Sequence, residues 1–144
     1  MIRKKENNLY LYMVNNKKIG WFLYDKKNER VCIHRRDKKA KCSPEIWDCF
    51  GGKIEQHETN NQAFLREFKE ELGFTIDIKN IKDIKYSFPV YCVYFNMNKD
   101  THKISLGEGA GFVWVSFDYA FKLDITDEAK GILKKFKKDI KKSP

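Results

Sequence analysis

Glu67, Glu70 and Glu71 fall within five residues, inside the segment REFKEE, in a chain whose formal charge is +9. Carboxylates that close repel one another, so a cation is expected among them. With Glu67 at 0° on a helical wheel, Glu71 lies at about 40° and Glu70 at about 300°, on one side of the helix. Phe64, Phe68, Leu72 and Leu65 occupy the adjoining arc from about 60° to 160° and form an apolar stripe, which sets the acidic side at the rim of a core. Hard divalent ions such as Mg²⁺ or Mn²⁺ take carboxylate and carbonyl oxygens, keep several waters and bridge protein carboxylates to substrate phosphates. The plain alternative is a Lys/Glu-rich surface helix, since glutamate is a good helix former.

The elements that must position these groups are legible around them. Thr59 followed three residues later by Gln62 makes a capping box, and Gly73 after Leu72 supplies a stop, so a helix is predicted over about residues 59–72. Upstream, LYLYMV, IGWFLYD and RVCIHR are rich in aromatic and β-branched residues and are separated by NNKK and KKNE, the pattern of strands joined by turns. Downstream, FTIDI, IKYSFPVYCVYFNM and the FVWVSF of residues 112–117 read as further strands. Thr126 offers the N-cap of a terminal helix, with Asp127 and Glu128 at its positive end and lysines crowding its negative end. No repeat or linker divides the 144 residues, so a single domain over 1–144 is expected.

Counted from Gly52, five residues lead to Glu58 and seven more to Arg66, after which come Glu67, Phe68, Lys69, Glu70, Glu71, Leu72, Gly73 and Phe74. That is the pattern G-x5-E-x7-R-E-U-x-E-E-x-G-U, with U a bulky apolar residue, and it resembles the signature of the Nudix hydrolase family, MutT-type. Every fixed polar and glycine position is present. Phe68 and Phe74 stand where aliphatic residues are usual, and Phe50 where many members have proline. The order VCIHRRD, WDCFGGKIE, the box, GEGAGFVWVS and a terminal helix is similar to that of compact MutT-type members. The resemblance implies an α/β fold, an α/β/α sandwich around a mixed β-sheet. It also implies metal-dependent hydrolysis of a nucleoside diphosphate-linked substrate, by attack of water on phosphorus. The substrate implied first is a nucleoside triphosphate, intact or oxidised, cleaved to monophosphate and pyrophosphate. A nucleotide sugar, a dinucleoside polyphosphate or an RNA 5′ end stays open, as does a catalytically silent nucleotide or RNA sensor on the same fold.

By the same resemblance, Glu67, Glu70 and Glu71 would hold Mg²⁺ or Mn²⁺ together with the carbonyl of Gly51, Glu71 being the first choice for the indispensable ligand. Arg66 would orient and partly neutralise the acidic cluster, and Glu58 would fix the loop. Gly51 and Gly52 would let the backbone approach a metal and a phosphate closely, while Gly73 closes the helix. Glu108, in the glycine-flanked GEGAG, is a candidate metal ligand or general base, against the plain reading of a turn residue. Arg36, Lys53 and Asp127 are candidate substrate contacts. The guanidinium of Arg36 could fork two phosphate oxygens, and Asp127 falls near the base-reading position of MutT-type members or serves simply as a helix-terminal acid. His34, His57 and His102 carry no assigned role.

Composition bounds the rest. Hydrophobic residues make up 42% and aromatics 15%, enough for one packed core. No stretch approaches the ~20 apolar residues that span a bilayer. The basic opening MIRKKENNLYLYMV has too short an apolar run for export, so a cytoplasmic protein without membrane contact is expected. Cys32, Cys42, Cys49 and Cys92 form no CxxC pair and read as reduced thiols. A zinc site from Cys32, His34, Cys42 and Cys49 matches no standard ligand spacing. Residues 134–142 hold six lysines and one aspartate, +5 of the +9. Ile132, Leu133, Phe136 and Ile140 fall at helical spacing there, so the lysines read as the solvated face of an amphipathic helix, with a nucleic-acid surface the less favoured reading. The expected partner is a small nucleotide; oligomeric state is not legible.

Overall fold

The computed structural model describes residues 17–36, 39, 45–107 and 111–142. The expected strand LYLYMV, Cys42 and Glu108 lie outside those residues. Seven strands, β1 (Lys18–Asp25), β2 (Arg30–Arg35), β3 (Trp47–Asp48), β4 (Phe50–Lys53), β5 (Ile81–Ile84), β6 (Val90–Tyr94) and β7 (Gly111–Val115), form one mixed sheet. Its order is β3-β2-β1-β6-β5, with β4 also on β1 and β7 also on β2. The β1–β6 pair is parallel and the others antiparallel. Among the described residues four α-helices accompany it: α1 (Asn60–Leu72), α2 (Met97–Asp100), α3 (Phe117–Lys122) and α4 (Asp127–Lys142).

β1 is the central strand, and its residues from Ile19 to Asp25 are buried on both faces. Successive side chains of a strand alternate between faces, and two cores result. Trp21 and Leu23 pack with Phe64, Phe68 and Leu72 of α1, whereas Phe22 and Tyr24 pack with Ile132, Leu133 and Phe136 of α4. Trp21 meets Phe64 edge-on at 5.6 Å, and Phe136 meets both Phe22 and Tyr24 edge-on at 5.0 Å. Each fully buried ring of this kind contributes roughly 1.5–3 kcal/mol of transfer free energy. The result is the expected α/β/α sandwich, with the cores on opposite sides of β1. Among the described residues no helix is long and apolar enough to cross a membrane.

Three strand expectations change. FTIDI is not a strand: Asp77 caps a 3₁₀ turn over Ile78–Asn80 through Lys79 N at 3.0 Å, and the sheet edge is taken by Ile81–Ile84 instead. Its apolar members Phe74 and Ile76 pack on the α1-side core without joining the sheet. The long run IKYSFPVYCVYFNM is split ahead of Val90, where Pro89 lacks an N–H to donate and its carbonyl accepts from Gly20 N at 3.0 Å. Its end, Met97, begins α2. FVWVSF stops at Val115 because the Ser116 hydroxyl accepts from Tyr119 N at 3.2 Å and caps α3.

One feature of the sheet creates the site. β1 and β2 pair only near their hairpin, from Leu23↔Cys32 to Asp25↔Arg30, and then part. A single extended segment fills the gap: Trp47 and Asp48 pair with β2, whereas Phe50 to Lys53 pair with β1, the change of partner falling at Cys49.

Candidate active site

α1 forms as its caps dictate. Thr59 Oγ1 accepts from Gln62 N at 3.1 Å while Thr59 N donates to Gln62 Oε1 at 2.9 Å, and Gly73 takes a left-handed φ of 82° with its N–H on Lys69 O. The buried face is Ala63, Phe64, Phe68 and Leu72, which turns the glutamates toward the 51–58 loop.

Arg66 is the hub of that acidic side. Its Nε donates to Glu58 Oε2 at 2.7 Å and its Nη2 to Glu58 Oε1 at 2.9 Å, a forked pair. Nη1 donates to Glu67 Oε1 at 2.9 Å and to Glu70 Oε2 at 3.3 Å, Nη2 also reaches Lys53 O at 2.9 Å, and Glu55 stands 3.7 Å away. One guanidinium therefore meets four carboxylates, leaving the group strongly anionic. The hydrogen bond from Arg66, supported by Glu55 N, holds the Glu58 carboxyl below its ordinary range. At Glu67 burial dominates and pushes the carboxyl up, against the pull of Arg66.

The glycine pair lies directly against this cluster. A Cβ on Gly52 would overlap the Glu67 carboxylate, so the backbone of β4 and that carboxylate are in contact only because residue 52 has no side chain. Glu71 lines a cleft of about 1370 Å³ whose wall also includes Gly51, Gly52, Arg36, Lys53 and Gly107. Gly107 N donates to the Glu71 carbonyl at 2.8 Å and Ser105 N to the Leu72 carbonyl at 2.9 Å, so the chain leading to GEGAG is anchored on the end of α1.

The cleft carries Lys17, Lys18, Arg36, Lys39 and Lys53 against Asp48, Glu71 and Glu128 among its described wall residues. Arg36 Nη1 pairs with Asp48 Oδ2 at 3.0 Å, and Lys18 Nζ spans the mouth to Glu128 Oε2 at 2.7 Å while resting 4.6 Å from the Phe88 ring. His34 stacks on Phe50 at 4.6 Å with its Nε2 3.2 Å from Cys49 O, and burial lowers its pKa.

Sequence and structure can be matched residue by residue. Glu71, Gly51, Gly52, Arg36 and Lys53 come together in one cleft. Glu67 stands behind Gly52, and Glu70 on the open side of Arg66 with its side chain 60% exposed. Glu58 accepts the forked pair from Arg66, and Gly73 closes α1. Asp127 is exposed and outside the described wall, which is formed instead by its neighbour Glu128. Gly107, Asp48 and Lys18 were missed; only the pairing of β3 and β4 with different strands brings Asp48 to the wall, and no local pattern signals that. Cys32 and Cys49 belong to opposite cores, and burial raises both thiols, so they share no zinc site.

Residues 15–136 match the NUDIX domain. This chain belongs to the Nudix family. A Nudix hydrolase of Listeria innocua, itself uncharacterised, is 40% identical over 60 residues, 41% of this chain and 35% of that protein. The 8-oxo-dGTP diphosphatase of Proteus vulgaris is 36% identical over 64 residues, 44% of this chain and 56% of that one. The aligned stretch thus spans between about a third and just over half of these relatives. The MutT protein of Methanosarcina mazei Go1 shares the fold, with a TM-score of 0.64 at 20% identity over 88% of this chain and 96% of that one. The acidic helix α1 and the loop before it are accordingly the Nudix box of this chain, and Phe50, Phe68 and Phe74 are its aromatic departures. Phe50 and Phe68 are buried and Phe74 packs on Phe68 at 5.3 Å, so all three are accommodated by packing.

Proposed function

We propose that the chain hydrolyses a nucleoside diphosphate-linked substrate, first a nucleoside triphosphate carrying an intact or oxidised base, to the monophosphate and pyrophosphate. The observation that carries this reading is the placement of Glu71 and the Gly51–Gly52 backbone in the same cleft wall as Arg36 and Lys53. The resemblance to an 8-oxo-dGTP diphosphatase supports the choice of substrate.

Among the described residues no group of three or more carboxylate, imidazole or thiolate side chains stands placed to hold a metal ion by itself. Mg²⁺ rarely uses such a group, taking one or two carboxylates and completing its shell with water and substrate phosphates. Four carboxylates around one guanidinium, with Glu71 beside them, supply hard oxygen donors and an excess of negative charge that suits Mg²⁺ or Mn²⁺. Glu67, Glu70, Glu71 and the Gly51 carbonyl would hold the ion, with Glu108 as a further ligand or as the base. Bound there, it would polarise phosphoryl oxygens, lower the pKa of a water and offset developing charge.

The chain's own groups do the rest. Arg66 acts as a positioning residue, fixing Glu67 and Glu70 relative to the Lys53–Glu58 loop. Arg36 and Lys53 neutralise the phosphates, with Asp48 holding the Arg36 guanidinium in the wall. A carboxylate, Glu71 or Glu108, receives the proton of the attacking water. Asp127 or the adjacent Glu128 meets the base end of the substrate.

Turnover of a nucleotide panel with Mg²⁺, comparing the wild type with Glu71→Gln, tests this. A loss of at least about 100-fold in kcat/KM is expected when a ligand or base is removed. Equal turnover in the two proteins removes Glu71 from the site, and nucleotide binding without any hydrolysis replaces the enzyme with a sensor.

A further inference from the structure

The basic side of α4 is not used by the cleft. With Lys134 at 0°, the residues Lys130, Lys134, Lys137, Lys138 and Lys141 fall within an arc of about 100°, and they span about 16 Å along the axis. Buried Ile132, Leu133 and Phe136 lie at about 160° to 260°, and the cleft residue Glu128 at about 120°, so the ridge points away from the wall. Residues 130–142 carry seven lysines and one aspartate, a surplus of +6 in a chain of +9, and Asp139 at about 140° stands off the ridge. Lys130/Lys134, Lys134/Lys138 and Lys137/Lys141 are like-charge (i, i+4) pairs, each of which opposes the helix. An ordinary solvated face alternates signs along its length; this ridge is lysine throughout.

The neighbouring α3 holds part of the ridge in place. Lys134 Nζ and Lys137 Nζ each stand 5.9 Å from the centre of the Phe121 ring, and Lys137 Nζ pairs with Asp118 Oδ1 at 3.0 Å. Asp118 is held below its ordinary range by the hydrogen bond from Lys137 and by the charges of Lys137, Lys122 and Lys141, which places Lys122 and Lys141 in the same field. Tyr119, next to Lys122 on α3, is 55% exposed.

We propose that this ridge, together with α3, is a docking surface for single-stranded nucleic acid, separate from the cleft. A strip of positive charge beside the exposed ring of Tyr119 matches a sugar-phosphate backbone with unpaired bases. The partial negative charge at the helix C-terminus, about half a unit, is far smaller than the lysine surplus. An anionic bilayer fits less well, since the apolar face that would have to enter it is consumed in the core.

The test is anisotropy of a labelled 20-nucleotide oligouridylate titrated with the full chain between 50 and 200 mM KCl. Four lysine–phosphate contacts give a slope of log Kobs against log[KCl] of about −3. Lys134→Gln with Lys141→Gln should reduce its magnitude by about 1.4 and weaken binding at 50 mM by about tenfold or more, with hydrolysis of free nucleotides unchanged. Asp118→Asn should tighten binding, a change that loss of fold cannot produce. No binding at 50 mM, equal slopes in wild type and double variant, or uptake by phosphatidylserine vesicles in place of the oligonucleotide overturns the proposal. None of these outcomes bears on the cleft, whose activity is read separately.

Discussion

Gly52→Ala isolates the contact between β4 and the acidic cluster. An alanine Cβ there overlaps the Glu67 carboxylate, and the obstacle is the far end of a side chain, which can rotate away. Doing so breaks the 2.9 Å bond from Arg66 Nη1, a charge-assisted interaction of a group 15% exposed, so the stability loss is set at about 1–2 kcal/mol. For a domain of this size that lowers Tm by roughly 3–8 °C. Activity should suffer more, by about 100-fold, because a carboxylate displaced by an ångström no longer meets its ligand. Gly51→Ala makes the contrast: its Cβ would stand 2.8 Å from Ile19 O, a backbone atom locked in the β1–β4 ladder, so its stability cost should exceed that of Gly52→Ala. Thermal melts and kcat/KM with Mg²⁺ measure both. A double-mutant cycle sharpens the test, since Gly52→Ala in a Glu67→Ala background has nothing to displace and should cost almost no stability. The reasoning is refuted if the alanine costs as much there as in the wild type, or if Gly52→Ala keeps full activity.

Arg66→Lys keeps the charge but cannot hold Glu58 with two N–H groups while reaching Lys53 O, and activity should fall about 10–100-fold with a raised Mg²⁺ requirement. A Mg²⁺ titration of initial rates checks this; a wild-type curve contradicts the positioning role. Asp25 is 2% exposed, and although burial pushes its carboxyl up, hydrogen bonds from the Asn28 side chain and from Met97 N and Asn28 N bring it below the ordinary range. A folded pKa lowered in this way adds stability above the unfolded aspartate value that is lost as pH falls through the folded one. Asp25→Asn should therefore cost about 1–2 kcal/mol at pH 7 and progressively less below about pH 4, as read from melts across that range.

How much of this was legible follows from where each signal lives. α1 was readable because its caps are written locally, in Thr59, Gln62 and Gly73, and so was α4 through Thr126, whose hydroxyl accepts from Ala129 N at 3.1 Å. FTIDI misled because alternating apolar residues need a free neighbouring strand, and that edge of β6 is taken by β5. β3 and β4 escaped notice since two and four residues carry little pattern; their strands exist because β1 and β2 diverge, a nonlocal fact. The box spacing placed the glycine pair and the glutamates in one site. It did not show that Arg66 bonds Glu67 and Glu70 while Glu71 belongs to the cleft wall, because that division depends on the Lys53–Glu58 loop returning to the guanidinium. Nor did it point to Glu128 on the wall in place of Asp127; the two adjoin in sequence yet point about 100° apart on the helix.

The junction at the end of α1 has a wider meaning. The carbonyls of Glu71 and Leu72 are closed by amides from Gly107 and Ser105. Glu71, which lines the cleft, is thus tethered through its own peptide unit to a stretch of chain far along the sequence. Loosening that distant stretch, whose Ile104 and Leu106 pack on the same core as Leu72, would free these carbonyls and unseat the helix's last turn.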